Sequence, residues 1–163
     1  GSKIALELAL QRPACVRHLL LISTPIYTAE ELQQMRVEFA PMAVRTDGSH
    51  LTDYWRELMR WRGPGQTPED LMRYFGIHVS GSERRHFGHR AAFQYSTAAA
   101  LPQIKQPVLV LNNNDDLQEY TRRALPLLQN GVILERADWG HGFLDLHTAE
   151  FAKIAREFFD RAR

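Results

Sequence analysis

The apolar positions of this chain alternate between helical spacing and short unbroken runs. Over residues 2–12 (SKIALELALQR), Ile4, Leu6, Leu8, Ala9 and Leu10 lie around a helix with few polar positions, which suits a helix buried on most sides. Pro13 stops it. Leu19-Leu20-Leu21-Ile22 comes next, apolar on both faces and closed by Ser23, Thr24 and Pro25. Such a run predicts a central strand of a parallel sheet. Pro107-Val108-Leu109-Val110-Leu111 repeats the pattern before a polar cluster, and Val132-Ile133-Leu134 is a shorter version. Residues 118–128 read as a helix with Pro126 a late break. Residues 148–161 read as a last helix with Phe151, Ile154, Ala155, Phe158 and Phe159 on its inner face. Basic residues close the C-terminus, as the helix dipole favours.

Strand, helix, strand, helix at this spacing predicts βαβ crossovers. Three parallel strands are expected near 18–23, 107–112 and 131–136, adjacent in that order. Residues 26–97 differ. They contain amphipathic stretches near 28–40, 51–62, 68–79 and 83–96, punctuated by Gly63-Pro64-Gly65 and Ser80-Gly81-Ser82, and no convincing strand. The expected organisation is an α/β core formed by 1–25 and 98–163, with 26–97 a helical lid inserted between two strands.

Composition narrows the function classes. The 163 residues carry 20 basic and 19 acidic side chains, a formal charge of +1, without a run of one sign. A nucleic-acid partner or an anionic membrane surface is therefore not expected. The apolar runs fall far short of the roughly 20 residues that span a bilayer. The one cysteine, Cys15, leaves no intramolecular disulfide framework and fits a reducing, cytoplasmic compartment.

Two loops hold candidate chemistry. Asn112-Asn113-Asn114-Asp115-Asp116 follows the second strand, and Trp139-Gly140-His141-Gly142-Phe143 lies between the third strand and the last helix. Ligands of open α/β sheets sit beyond the carboxyl ends of the strands, where both loops fall. A nucleophile-His-acid system needs an imidazole to accept the nucleophile's proton and a carboxylate to orient that imidazole. The glycines beside His141 leave the ring unshielded and let the loop turn tightly. Taken alone, an acid after a strand is more often a cap or turn residue, and Gly-His-Gly is usually a turn. Their order and placement together favour catalysis. Ser2 lacks a glycine two residues later, since Ile4 stands there, and reads as a helix N-terminal residue. His78, His86 and His89 lack a convergent carboxylate pattern, so no metal is expected. Asp138 and Asp145 read as solvated or capping residues. Arg56, Arg60 and Arg62 are candidates to receive an anionic group, although a solvated face is the simpler reading. The aromatic and methionine side chains of 26–97 mostly pack its helices, with some expected to face a cleft.

These segments resemble the C-terminal part of an α/β-hydrolase of the lid-bearing, lipase- and esterase-like kind. The resemblance matches Gly1 to the last glycine of a nucleophile elbow, G-x-S-x-G, and Ser2-Lys3-Ile4-Ala5-Leu6 to the helix after it. PVLVLNNNDD resembles the strand-plus-acid element, in which the acid stands three residues after a glycine. Asn113 takes that glycine's place, and counting on gives Asp116 as the acid. A slip of one residue would give Asp115. WGHGF resembles the histidine loop and makes His141 the base. The resemblance implies a hydrolase of small carboxylic esters or related acyl substrates, with no cofactor. It also implies a nucleophile and oxyanion donors upstream of Gly1, so that residues 1–163 alone are expected to be inactive. Dehalogenation with an Asp nucleophile and carbon–carbon bond hydrolysis are the alternative chemistries on the same frame. A non-catalytic fragment or binding module is the alternative from another class.

Overall fold

A computed structural model of the chain describes residues 1–81 and 86–160. The start of the stretch expected near 83–96 and the basic residues Arg161 and Arg163 lie outside the described residues. The elements run α1 (Ser2–Gln11), β1 (Leu19–Ile22), α2 (Ala29–Glu38), α3 (Ser49–Arg60), α4 (Pro68–Ser80), α5 (His86–Gln94) and α6 (Thr97–Ala100). They continue with β2 (Val108–Asn113), α7 (Gln118–Arg122), β3 (Gly131–Arg136), α8 (Phe143–Leu146) and α9 (Thr148–Asp160). The chain divides into two compact units, Gly1–Ile26 with Ser96–Arg163, and Tyr27–Tyr95.

In the first unit the strands form one parallel sheet in the order β1-β2-β3. The register sets Leu21 beside Val110 and Val110 beside Ile133. β2 is the central strand, and every one of its residues is buried. Strand side chains alternate between faces, so Leu109 and Leu111 share one face with Leu20 and Leu134. That face packs on Trp139, Phe143 and the α9 side chains Phe151, Ile154 and Phe158. Leu19, Leu21, Val108 and Val110 face the other way; α1 packs against β1 and α6, burying Leu6 and Ala9. Each fully buried Leu or Val contributes roughly 1.5–3 kcal/mol. Gly131 opens β3 where a Cβ would lie 2.7 Å from the Val108 carbonyl oxygen, so β2 and β3 could not approach as they do with a larger residue there.

The structure differs from the sequence expectation in several details, among them β1, which is one residue shorter at each end than expected. β2 begins and ends one residue later than expected. α1 leaves Ile4 76% and Leu8 49% exposed, so it buries one side, not most. The helix expected over 118–128 stops at Arg122, and a 3₁₀ turn covers Leu125–Leu127. Pro126 explains the early stop, because its ring would clash with the carbonyl four residues back, at Arg122.

The second unit is helical. Thr28 and Thr67 start α2 and α4 with capping boxes completed by Glu31 and Asp70, and Pro68 occupies the first turn of α4. α3 pairs with α4 and α2 with α5. Rings fill these pairs, with Tyr54 stacked on Phe75 at 5.8 Å and Phe39 beside Phe93 at 5.7 Å.

Candidate functional site

β2 and β3 are parallel neighbours, with Asn112 opposite Glu135 and Asn113 opposite Arg136. Their carboxyl-end loops therefore emerge side by side, one carrying Asp115 and Asp116, the other His141. Asn114 bridges them: its backbone N–H donates to the Trp139 carbonyl at 2.7 Å and its side-chain amide to the Ala137 carbonyl at 3.3 Å.

The two adjacent acids have different surroundings. Asp115 Oδ1 accepts the Leu117 N–H at 2.9 Å, and its main-chain oxygen accepts the Gln118 N–H. It thus forms an Asx turn that leads into α7. Asp116 points to the histidine loop, where its Oδ1 lies 2.9 Å from His141 Nε2. The Asp116 and His141 side chains are 32% and 45% exposed, so the pair is partly solvated and its attraction is screened. The hydrogen bond to Asp116 raises the His141 pKa; partial burial opposes this, and the charges of Asp116 and Asp115 add to it. Burial raises the Asp115 carboxyl pKa, against the Leu117 N–H and His141, which lower it.

The nitrogen that meets Asp116 is Nε2. In a Ser-His-Asp template the acid meets Nδ1 and the nucleophile meets Nε2. Adopting that pairing requires the imidazole, whose side chain is 45% exposed, to reorient about its side-chain torsions. Gly142 follows with φ 80°, a left-handed conformation that costs other L-residues roughly 1–2 kcal/mol, and starts α8 directly after the histidine.

Most of the other candidates are engaged elsewhere. Ser2, at the start of α1, points its hydroxyl between the Ile22 and Ser23 carbonyls, at 2.9 and 2.7 Å, and so ties α1 to the end of β1. Ser23 itself takes a positive φ of 56° as β1 ends. Arg56 pairs with Asp53, and Arg60 lies over the Trp61 ring. His78 Nδ1 is 3.1 Å from the Tyr74 carbonyl, His89 stacks on Phe39, and His86 contacts Phe87. Asp138 pairs with Arg136. Among the described residues no group of three or more His, Cys, Asp or Glu is placed to hold a metal ion. No helix among them is long and apolar enough to cross a membrane.

Asn114 and Trp139 connect the two loops, a role that the sequence does not mark. The Asn114–Trp139 bond joins main-chain atoms, which carry no side-chain signature.

No family model matches the chain, and no curated protein matches it in sequence. Solved structures do. The chain is similar to MenH from S. aureus, with a TM-score of 0.71 and 19% identity over 99% of this chain and 65% of that one. It is also similar to the esterase EaEST from Exiguobacterium antarcticum, with a TM-score of 0.67 and 16% identity over 97% of this chain and 63% of that one. A third is the enol-lactonase from Burkholderia xenovorans LB400, with a TM-score of 0.60 and 15% identity over 95% of this chain and 60% of that one. The chain thus spans less than two thirds of the length of each. Its three-stranded parallel sheet with flanking helices is part of an α/β-hydrolase fold.

Proposed function

We propose that these residues are the acid- and base-bearing portion of a hydrolase of small carboxylic esters or related acyl substrates, with His141 the base and Asp116 its acid. The observation that carries this reading is the 2.9 Å contact between Asp116 and His141, formed by loops at the carboxyl ends of two neighbouring parallel strands. His141 takes the nucleophile's proton as the acyl-enzyme forms, returns it to the leaving group, and then activates water for deacylation. Asp116 orients the ring and stabilises the imidazolium. The nucleophile and the oxyanion donors then lie in the part of the fold that these residues do not span. Residues 27–95 serve in this reading as the lid.

Two measurements test it. The 163-residue chain offered p-nitrophenyl acyl esters is expected to hydrolyse them at the buffer rate. Turnover above buffer that His141→Ala abolishes would show that a nucleophile lies within the chain. In a polypeptide that also supplies the missing third, His141→Ala is expected to lower kcat by on the order of 10⁶ and Asp116→Asn by about 10⁴, with KM little changed. Full activity in either variant refutes the assignment.

A further inference from the structure

Asp116 and His141 each stand two residues from one hydrogen bond. The Asn114 N–H, two residues before the acid, donates to the Trp139 carbonyl, two residues before the base, at 2.7 Å. Few degrees of freedom separate that bond from the two side chains, so any movement of Trp139 changes their separation directly.

The Trp139 side chain is built not to move. It is fully buried and packs with Leu109 and Leu111 on the sheet. Its ring lies nearly parallel to Phe143, with centroids 4.9 Å apart and planes 15° apart, and to His147 at 5.6 Å and 14°. The Arg136 guanidinium sits 3.8 Å from the ring centroid, within cation–π range. Arg136 is itself held by Asp138 and by Glu150 of α9, at 2.6 and 2.8 Å. The indole Nε1–H is buried without a hydrogen-bond partner among the described residues. That omission costs stability that a phenyl ring would not lose, so the ring contributes through its extent and not through its polar atom.

We propose that Trp139 is a positioning residue for the Asp116–His141 pair. Its carbonyl holds the acid loop while its clamped ring fixes the base loop to the sheet. The inference rests on the reading of Asp116 and His141 as acid and base. A hydrogen bond weakens steeply as it lengthens or bends, so freeing Trp139 uncouples the pair before it unfolds the chain. The charged and titratable groups facing the two loops are Asp115 and Asp116 around His141, and Arg136, Asp138, His147 and Glu150 around Trp139.

The test is an NMR titration of the His141 imidazole in the 163-residue chain, with its signal identified by its loss in His141→Gln. In the parent the His141 pKa lies above the ordinary value, and Asp116→Asn lowers it. Trp139→Leu, which keeps apolar bulk but no flat ring, is expected to lower it by at least half of the Asp116→Asn drop. Trp139→Phe loses no hydrogen bond, stays folded, and is expected to give a smaller but measurable drop. A packing role alone would change stability and leave the His141 titration where it was. An unchanged His141 pKa in Trp139→Phe, and in Trp139→Leu where its amide spectrum stays dispersed, overturns the proposal. If Asp116→Asn itself leaves the His141 pKa unchanged, the acid–base reading fails instead.

Discussion

The two units of the chain are held together by different kinds of contact. In the α/β unit the shaping polar contacts join segments far apart in sequence: Thr24 N–H to Thr121 Oγ1, Asn114 N–H to Trp139 O, and Arg136 to Glu150. In the helical unit they run mostly within one turn. Thr28 pairs with Glu31, Thr67 with Asp70, and Asp53 with Arg56. Arg36, which donates to the Phe93 carbonyl, is an exception. The histidines of the two units also differ in partner. His141 meets a carboxylate from another strand's loop, whereas His89 stacks on the rings of Phe39 and Phe93 within its own unit. The candidate site, a pair of side chains held at hydrogen-bond distance, lies in the unit where long-range register sets distances.

The sharpest way to break this contrast is to disturb the register itself. Gly131→Ala places a Cβ 2.7 Å from the Val108 oxygen and 2.9 Å from the Val108 Cβ, both in the central strand. Backbone cannot yield as a flexible side chain can. The expected loss is about 1–3 kcal/mol in a urea titration, accompanied by a shift of the His141 resonance. Retained stability would mean that the β2–β3 register is looser than this geometry implies.

A local lesion should stay local. Thr67→Ala removes the cap of α4 and is expected to cost about 1 kcal/mol. Hydrogen exchange should quicken in the α4 amides, while the His141 titration stays at its parent value. A displaced His141 titration would show the units to be coupled.

The smallest effect concerns pH. The folded His141 pKa is raised, chiefly by its hydrogen bond to Asp116. A group whose pKa is raised on folding adds stability below its unfolded value, about 6.5, and that contribution is lost as pH climbs through the folded value. Stability followed by denaturation across this window should fall with rising pH, and Asp116→Asn should flatten the fall. An equal slope in both proteins would show that the pair contributes nothing there.

Much of this fold was legible because a central parallel strand has one unmistakable property, apolar residues on both faces. Leu19–Ile22 and Val108–Leu111 have it, and they pair side by side. The extent of α7 was not legible, because the influence of Pro126 reaches a full turn back. The exposure of Ile4 and Leu8 could not be read, since apolar composition does not say which side of a helix finds a partner. The meeting of residues 116 and 141 followed from strand adjacency and the position of both at strand ends. The differing surroundings of Asp115 and Asp116 depend on a single turn, which a one-residue slip in reading would reverse. The role proposed for Trp139 was out of reach, because it depends on a carbonyl that every residue possesses and on ring contacts that only the fold assembles.

The pairing of β1 with β2 brings Ile22 beside Leu111, although the whole of Tyr27–Tyr95 lies between them in sequence. The entropy of closing such a loop grows only with the logarithm of its length, so doubling or halving the insertion changes closure by about 0.6 kcal/mol. The sheet is therefore nearly indifferent to what enters at Ile26 and leaves at Ser96. Evolution, or an engineer, can lengthen, trim or exchange that helical unit at small thermodynamic cost without rebuilding the strands whose following loops carry Asp116 and His141.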